Sequence, residues 1–290
     1  MIINNYNNER FIKWIVNNNC NYNCNYCFEK DFRKKDININ SIIKTAYKIN
    51  EFIKINNINS IILLGGELFL LNKETILQIL NILKNKKINL YIISNFSKDN
   101  LIYKEVSDFA NDNFKSFEYK FSFHDEYISV QDFFYKVENY LQNKKNEKTK
   151  LQFTLTKDTE KYLQDFLNNI NILQIKGYNV SEHIEKAYYF NNDRSKISFD
   201  NNIKTKLSKT FSIDNKQIAA EEIFKDGPMD NYGAKCIQPF FHLENNILYS
   251  HCYGRIITND FINYLPDKIN NNFICNRHSC LIYKTSIIKI

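Results

Sequence analysis

An α/β fold on six parallel strands, as an open sheet or a partial barrel, is predicted by three features of this sequence. Short β-branched apolar runs alternate with longer amphipathic stretches through the first two thirds of the chain. Each run is followed by a helix-like segment, so consecutive strands need crossover connections and come out parallel. At 290 residues, 43% hydrophobic and 24% charged, the chain has room for one large domain with a small appendage.

The strands fall at 11–17 (FIKWIVN), 59–64 (NSIILL), 88–94 (INLYIIS), 117–123 (FEYKFSF), 150–155 (KLQFTL) and 178–184 (YNVSEHI). Amphipathic periodicity places helices over 38–55, 73–85, 99–111, 127–145 and 158–173, with Asn72 and Asp99 where N-caps belong. Residues 1–185 hold these alternations. Residues 186–232 form a connecting segment, irregular apart from a helical stretch near 215–225 and a turn at Asp226–Gly227–Pro228. Residues 233–290 carry aromatics, turn formers and four cysteines with little helical periodicity, as in a small metal-stapled module.

The formal charge of +7 comes from lysines scattered over helix faces, as in NILKNKKINL and LQNKKNEKTK. That pattern reads as a solvated surface rather than a nucleic-acid stripe. The opening residues lack the basic start and apolar core of a signal peptide, and no apolar run approaches the ~20 residues of a membrane span. A cytoplasmic protein is therefore expected. In a reducing compartment seven cysteines, an odd number, suit metal or cluster ligation better than disulfides.

Directly after the first strand stands NNNCNYNCNYCFEK, with Cys20, Cys24 and Cys27 in a C-x-x-x-C-x-x-C spacing. Three close thiolates can cap three corners of a cubane, leaving a fourth iron open to another ligand. The alternatives are a structural zinc with a distant fourth ligand, or unrelated core cysteines. Zinc ribbons, however, pair C-x-x-C knuckles, and no partner knuckle stands nearby. The second strand ends in Gly65–Gly66–Glu67, the third in Ser94–Asn95, and the fourth sets Ser122 and His124 on one side at period two.

With Tyr26 just before its third cysteine, the loop resembles the signature of the radical S-adenosylmethionine (SAM) superfamily. Gly65–Gly66–Glu67, one strand later, resembles that family's GGE motif, with Leu68 where a proline is common. The resemblance implies a partial (β/α)6 barrel with its site at the C-terminal ends of the strands. It also implies a SAM-cleaving [4Fe–4S] cluster on Cys20, Cys24 and Cys27. Tyr26 would lie near the adenine, and Gly65, Gly66 and Glu67 would meet the methionine amino group. Ser94, Asn95, Ser122 and His124 would supply further cofactor contacts.

Cys236, Cys252, Cys275 and Cys280 extend the resemblance to the SPASM/Twitch subfamily, and CIQPFFHLENNILYSHC looks like the hairpin between that module's first two cysteines. On spacing alone four thiolates suit zinc as well as a second cluster. Four cysteines, fewer than a full SPASM module carries, imply the smaller Twitch-like form with one auxiliary [4Fe–4S] cluster, hence two clusters in the chain.

The implied chemistry is reductive cleavage of SAM to a 5′-deoxyadenosyl radical, which takes a hydrogen atom from the substrate. The subfamily acts mostly on peptides or protein side chains. Oxidative crosslinking or another modification of a ribosomally synthesised peptide is expected, with a flavodoxin- or ferredoxin-like electron donor. The alternatives are a small-molecule (sugar or alcohol) dehydrogenase and a non-enzymatic zinc-stabilised binding module. Only 19 residues precede Cys20, so a peptide substrate is expected to need a separate leader-recognition protein or the enzyme's own surface. If all seven cysteines are ligands, none remains as a thiol hydrogen donor, which argues against a cysteine-quenched epimerase.

Overall fold

A computed structural model describes residues 10–27, 36–142, 144–156, 158–186, 189–190, 197–198, 210–213, 216–219, 235–236, 240–250, 255–264, 273–274 and 287–288. Six strands lie parallel in chain order: β1 (Phe11–Ile15), β2 (Ser60–Leu64), β3 (Asn85–Ser94), β4 (Phe114–Phe123), β5 (Thr149–Leu155) and β6 (Val180–Lys186). They are joined by helices α1 (Ile39–Asn56), α2 (Lys73–Leu83), α3 (Asn100–Asn113), α4 (Val130–Leu141) and α5 (Leu163–Ile175). Every expected strand and helix of the first 186 residues is present.

The caps explain most boundaries. Asn72 and Asp99 accept from the Thr75 and Leu101 N–H groups, satisfying donors that an open helix end would leave bare. α4 begins later than its periodicity suggests. The N–H groups of Tyr127 and Ile128 turn back to the His124 carbonyl at 3.0 and 3.2 Å, and Ser129 then caps the helix. α5 likewise starts only at Leu163, after a 3-10 turn at Glu160–Tyr162 that follows the Thr156–Thr159 loop.

Period-two alternation in the strands sets the core. In β5, Leu151, Phe153 and Leu155 are buried under the helices, while Lys150, Gln152 and Thr154 on the other face are half-buried. The buried face is rich in aromatic rings: Phe121 stacks on Phe96 at 3.9 Å and meets Tyr140 edge-on at 5.4 Å. Burying such side chains is the main force fixing the helices on the sheet.

Beyond β1 the same sheet continues into three C-terminal strands, Phe240–Glu244, Ile247–Ser250 and Arg255–Thr258. The first runs parallel to β1, and the next two pair antiparallel. Asn245 and Asn246 turn the chain between the first two with φ of 48° and 66°, the left-handed pair of a tight hairpin turn. The hairpin expected within CIQPFFHLENNILYSHC is thus present. Phe241 packs edge-on against Phe52 of α1 at 5.1 Å, seating the added strands on the barrel.

One expectation is corrected. The helical stretch near 215–225 contains a strand instead: Lys216–Ala219 pairs antiparallel with Thr210–Ile213, with Ile213 opposite Lys216. The intervening Asp214–Asn215 is a turn-forming pair that the helical reading passed over. Residues 220–225 and the Asp226–Gly227–Pro228 turn lie outside the described residues. No helix among the described residues is long and apolar enough to cross a membrane.

Candidate cluster and cofactor site

The cysteine loop leaves β1 at the C-terminal end of the sheet, and the next strand grips its first residues through backbone groups, joined by Asn17 Nδ2, which donates to the Glu67 carbonyl at 3.2 Å. Val16 N–H donates to the Leu64 carbonyl at 2.8 Å, Gly66 N–H to that of Asn17 at 2.9 Å, and Glu67 N–H to that of Asn19 at 2.7 Å. The sequence needs glycine at both Gly65 and Gly66. A Cβ on either would overlap a carbonyl oxygen, that of Asn17 or that of Asn19 respectively. The paired glycines therefore let β2 close against the loop.

Glu67 is only 1% exposed. Its carboxylate accepts from Phe69 N–H (2.9 Å), the Ser94 hydroxyl (2.9 Å) and Asn95 N–H (2.7 Å), tying the end of β2 to the end of β3. Burial pushes its pKa up, and these hydrogen bonds oppose the shift. From the same corner Asn95 Nδ2 reaches Asn21 Oδ1 at 2.8 Å and Cys20 Sγ at 3.6 Å. The Tyr22 N–H also points at Cys20 Sγ, at 3.4 Å.

The other side of the loop is held by side chains from the turn after β4. His124 Nδ1 lies 3.2 Å from Cys24 Sγ and 2.8 Å from the Tyr26 hydroxyl, with the Tyr26 and His124 rings nearly parallel. Glu126 accepts from Asn25 N–H at 2.9 Å. The Tyr127 hydroxyl accepts from Asn23 N–H, and its ring stacks on Tyr22 at 4.0 Å. Burial lowers the pKa of His124 to about 4, so the imidazole is neutral near pH 7. Burial also pushes the Cys24 thiol up to about 12, opposed by a hydrogen bond from Tyr26.

Of the three thiols Cys24 is buried, and those of Cys20 and Cys27 are half-buried. Soft thiolates on one short loop, with N–H donors aimed at Cys20 Sγ, fit an iron–sulfur cluster. Ligation deprotonates a thiol outright, which would relieve the cost of holding Cys24 charged in this buried place. Among the described residues no three His, Cys, Asp or Glu side chains gather as the ligands of a single ion do. A cubane differs in taking each protein thiolate on a separate iron.

The sequence-predicted residues thus come together at one end of the sheet. Cys20, Glu67, Ser94 and Asn95 form one hydrogen-bonded set beside Gly65 and Gly66, Cys24, Tyr26 and His124 form a second, and Cys27 closes the loop with its N–H on the Cys24 carbonyl at 3.1 Å. Ser122 is buried one step down β4, opposite Gln152, without a bond to the loop among its described contacts. Sequence reasoning missed Asn17, Asn19, Asn21, Tyr22, Glu126 and Tyr127. For the last two the signal was their place in the FSFHDEY segment that ends β4. Of the distal set, Cys236 lies on a short strand, Lys235–Cys236, paired with Phe273–Ile274 and with Ile287–Ile288. Cys252, Cys275 and Cys280 lie outside the described residues.

Three thiols presented beside a Gly-Gly-Glu strand end suit an iron–sulfur protein. Residues 10–154, half of the chain, match the family described as the 4Fe-4S single cluster domain, and the chain belongs to that family. No curated protein matches it in sequence. Among solved structures it is similar to native anSMEcpe with bound AdoMet and Kp18Cys peptide, at 16% identity and a TM-score of 0.57, over 88% of this chain and 78% of that one. A polyhistidine-tagged anSMEcpe with bound AdoMet matches at 15% identity with a TM-score of 0.53, over the same shares of the two chains. Native anSMEcpe with AdoMet and the Cp18Cys peptide also matches at 15% and 0.53. At such identities the likeness is one of fold. The family bears out the iron–sulfur reading, and the likeness of fold bears out the partial barrel.

Proposed function

We propose that this chain reductively cleaves SAM on a cluster held by Cys20, Cys24 and Cys27 and uses the radical to modify a peptide or protein. The observation that carries the reading is the three-thiol loop, clamped between the Gly65–Glu67 strand end and the His124–Tyr127 turn. SAM and the cluster, when bound, supply the carbon–sulfur cleavage that generates the 5′-deoxyadenosyl radical. The chain's own part is to bind, orient and exclude water. Asn95 and the Tyr22 N–H donate toward the Cys20 sulfur. Gly65 and Gly66 let the end of β2 close on the loop, and Glu67 fixes Ser94 and Asn95 beside it. Tyr26 and His124 form the aromatic wall next to Cys24. Ser122 lies one step deeper as a further cofactor contact.

The peptide half of the proposal is supported by the peptides bound in the anSMEcpe structures, and by the inner face of β4–β6. Lys120, Ser122, Lys150, Gln152 and His183 share that face by register, a polar lining suited to peptide groups. Oxidative crosslinking of a ribosomally made peptide, presented by a leader-recognition protein and fed by a flavodoxin- or ferredoxin-like donor, is the specific form proposed. Residues 1–185 would then generate the radical, and residues 186–232 would shape the substrate cavity. Residues 233–290 would hold a second cluster on Cys236, Cys252, Cys275 and Cys280. The pairing of Lys235–Cys236 with Phe273–Ile274, the residues just before Cys275 in sequence, supports that last assignment.

Anaerobic reconstitution with iron and sulfide analysis tests the cofactors: about eight irons per chain are expected for two cubanes. Incubation with SAM and dithionite should release 5′-deoxyadenosine, and Cys24→Ala should abolish it. Zinc without iron, or release of 5′-deoxyadenosine undiminished in Cys24→Ala, would overturn the proposal.

A further inference from the structure

The strand Phe240–Glu244 lies parallel to β1 in register from Phe11↔Phe240 to Trp14↔Leu243, which carries Glu244 to the level where the cysteine loop departs. There its Oε1 accepts from Asn18 Nδ2 at 3.2 Å. Glu244 is 5% exposed and Asn18 6%. The second carboxylate oxygen faces His242 Nε2 at 3.7 Å. Burying a carboxylate is costly unless its oxygens find donors, so an apolar residue would be the simpler way to fill this space.

Both ends of this contact are anchored. The carbonyls of Asn17 and Asn19, on either side of Asn18, accept from Gly66 and Glu67, so Asn18 belongs to the loop segment that sets the path to Cys20. On the other side the chain reverses at Asn245–Asn246 directly after Glu244. Asn246 Oδ1 accepts from Ile262 N–H at 2.7 Å and its carbonyl from Phe261 N–H at 2.8 Å. Phe261 is fully buried against Phe52 of α1. The carboxylate is therefore held at a fixed point, and it meets the cysteine loop at Asn18.

We infer that Glu244 is a positioning residue for the SAM-cleaving cluster, acting through Asn18 on the path of the loop to Cys20. It also links that site to the hairpin bounded in sequence by Cys236 and Cys252. The inference rests on the cluster reading proposed above. Outer partners that orient a ligand-bearing segment commonly change metal retention about tenfold when removed.

The test compares Glu244→Ala, Glu244→Gln and Asn18→Ala with the wild-type chain after reconstitution. The readouts are the SAM-induced change in the EPR signal of the reduced protein, which reports on the cluster with an open iron, and iron retention against a chelator. Glu244→Ala and Asn18→Ala should each weaken retention about tenfold and diminish the SAM-induced change, and their double variant should lose no more than either alone. Glu244→Gln keeps a carbonyl acceptor for Asn18 and should restore both readouts. Wild-type signals in both Glu244→Ala and Asn18→Ala would overturn the inference while leaving the cluster reading intact. A wild-type chain that gives no SAM-sensitive signal would overturn both. Because Asn18→Ala leaves the hairpin untouched, it carries the test if Glu244→Ala does not fold.

Discussion

The two sides of the cysteine loop are held by different means. On the β2–β3 side the grip is mainly backbone to backbone, made possible by Gly65 and Gly66 and locked by one buried carboxylate, Glu67, with the Asn95 side chain reaching Asn21. On the β4 side it is side chain to loop, through His124, Glu126 and Tyr127. A backbone clamp tolerates almost no substitution, because no rotamer change can relieve an overlap with a carbonyl. A side-chain clamp is a set of separable contacts, each worth about a hydrogen bond or a ring pair. The first side fixes where the loop begins, and the second is made of contacts that can be removed one at a time.

If this contrast holds, the largest effect comes from Gly66→Ala. Its new methyl must displace Asn19 and with it the approach to Cys20, costing about 3 kcal/mol. A chain that still folds should fail to retain iron at the first site, read by iron analysis after reconstitution. Normal iron content in this variant would break the comparison, since it would mean that β2 does not set the loop.

Glu67→Ala comes next. Phe69 N–H, Asn95 N–H and the Ser94 hydroxyl lose their common acceptor, an expected loss of about 2 kcal/mol, measurable by denaturant unfolding. The pH dependence has a definite sign. Burial raises the folded pKa of Glu67, so its contribution is most favourable below the unfolded value near 4.5 and is lost as pH rises through the folded pKa. The stability advantage of wild type over Glu67→Gln should therefore shrink from acid toward neutral pH.

His124→Ala removes the one imidazole that bridges Cys24 and Tyr26, without altering any backbone contact of the loop. The expected outcome is a folded chain with iron retention weakened about tenfold against a chelator. Retention as poor as in Gly66→Ala would show that the β4 side is as indispensable as the β2 side.

How much of this was legible in sequence follows the same division. Strand runs, amphipathic helices and caps such as Asn72 are local signals, and the structure kept them. The cysteine spacing and Gly-Gly-Glu announced the loop and the backbone clamp because glycine at a strand end and clustered thiols have few other uses. What stayed hidden depends on long-range approach. Nothing near Asn18 in the chain names Glu244, 226 positions away, as its partner. Tyr22 and Tyr127 carry no local signal of the stack they form where two loops meet. The Lys216–Ala219 strand is likewise defined by its pairing with Thr210–Ile213 and not by the short helical pattern of its own residues.

The smallest expected effects come from Tyr127, which makes two contacts that substitution can separate. Its ring lies on Tyr22 in near-parallel stacking, and its hydroxyl accepts from Asn23 N–H. Tyr127→Phe keeps the stack and should cost only about 0.5 kcal/mol, since Asn23 is exposed and water can take over its N–H. Tyr127→Ala removes both contacts and should cost about 1 kcal/mol. Amide hydrogen exchange between Cys20 and Cys27 provides the measurement. Tyr127→Ala should speed exchange across the loop, Tyr127→Phe should speed it at Asn23 alone, and neither should touch the Gly66 and Glu67 amides of the backbone clamp. Faster exchange at Gly66 in Tyr127→Ala would show that the two grips are one cooperative unit, because loosening a separable contact on one side would then release the other.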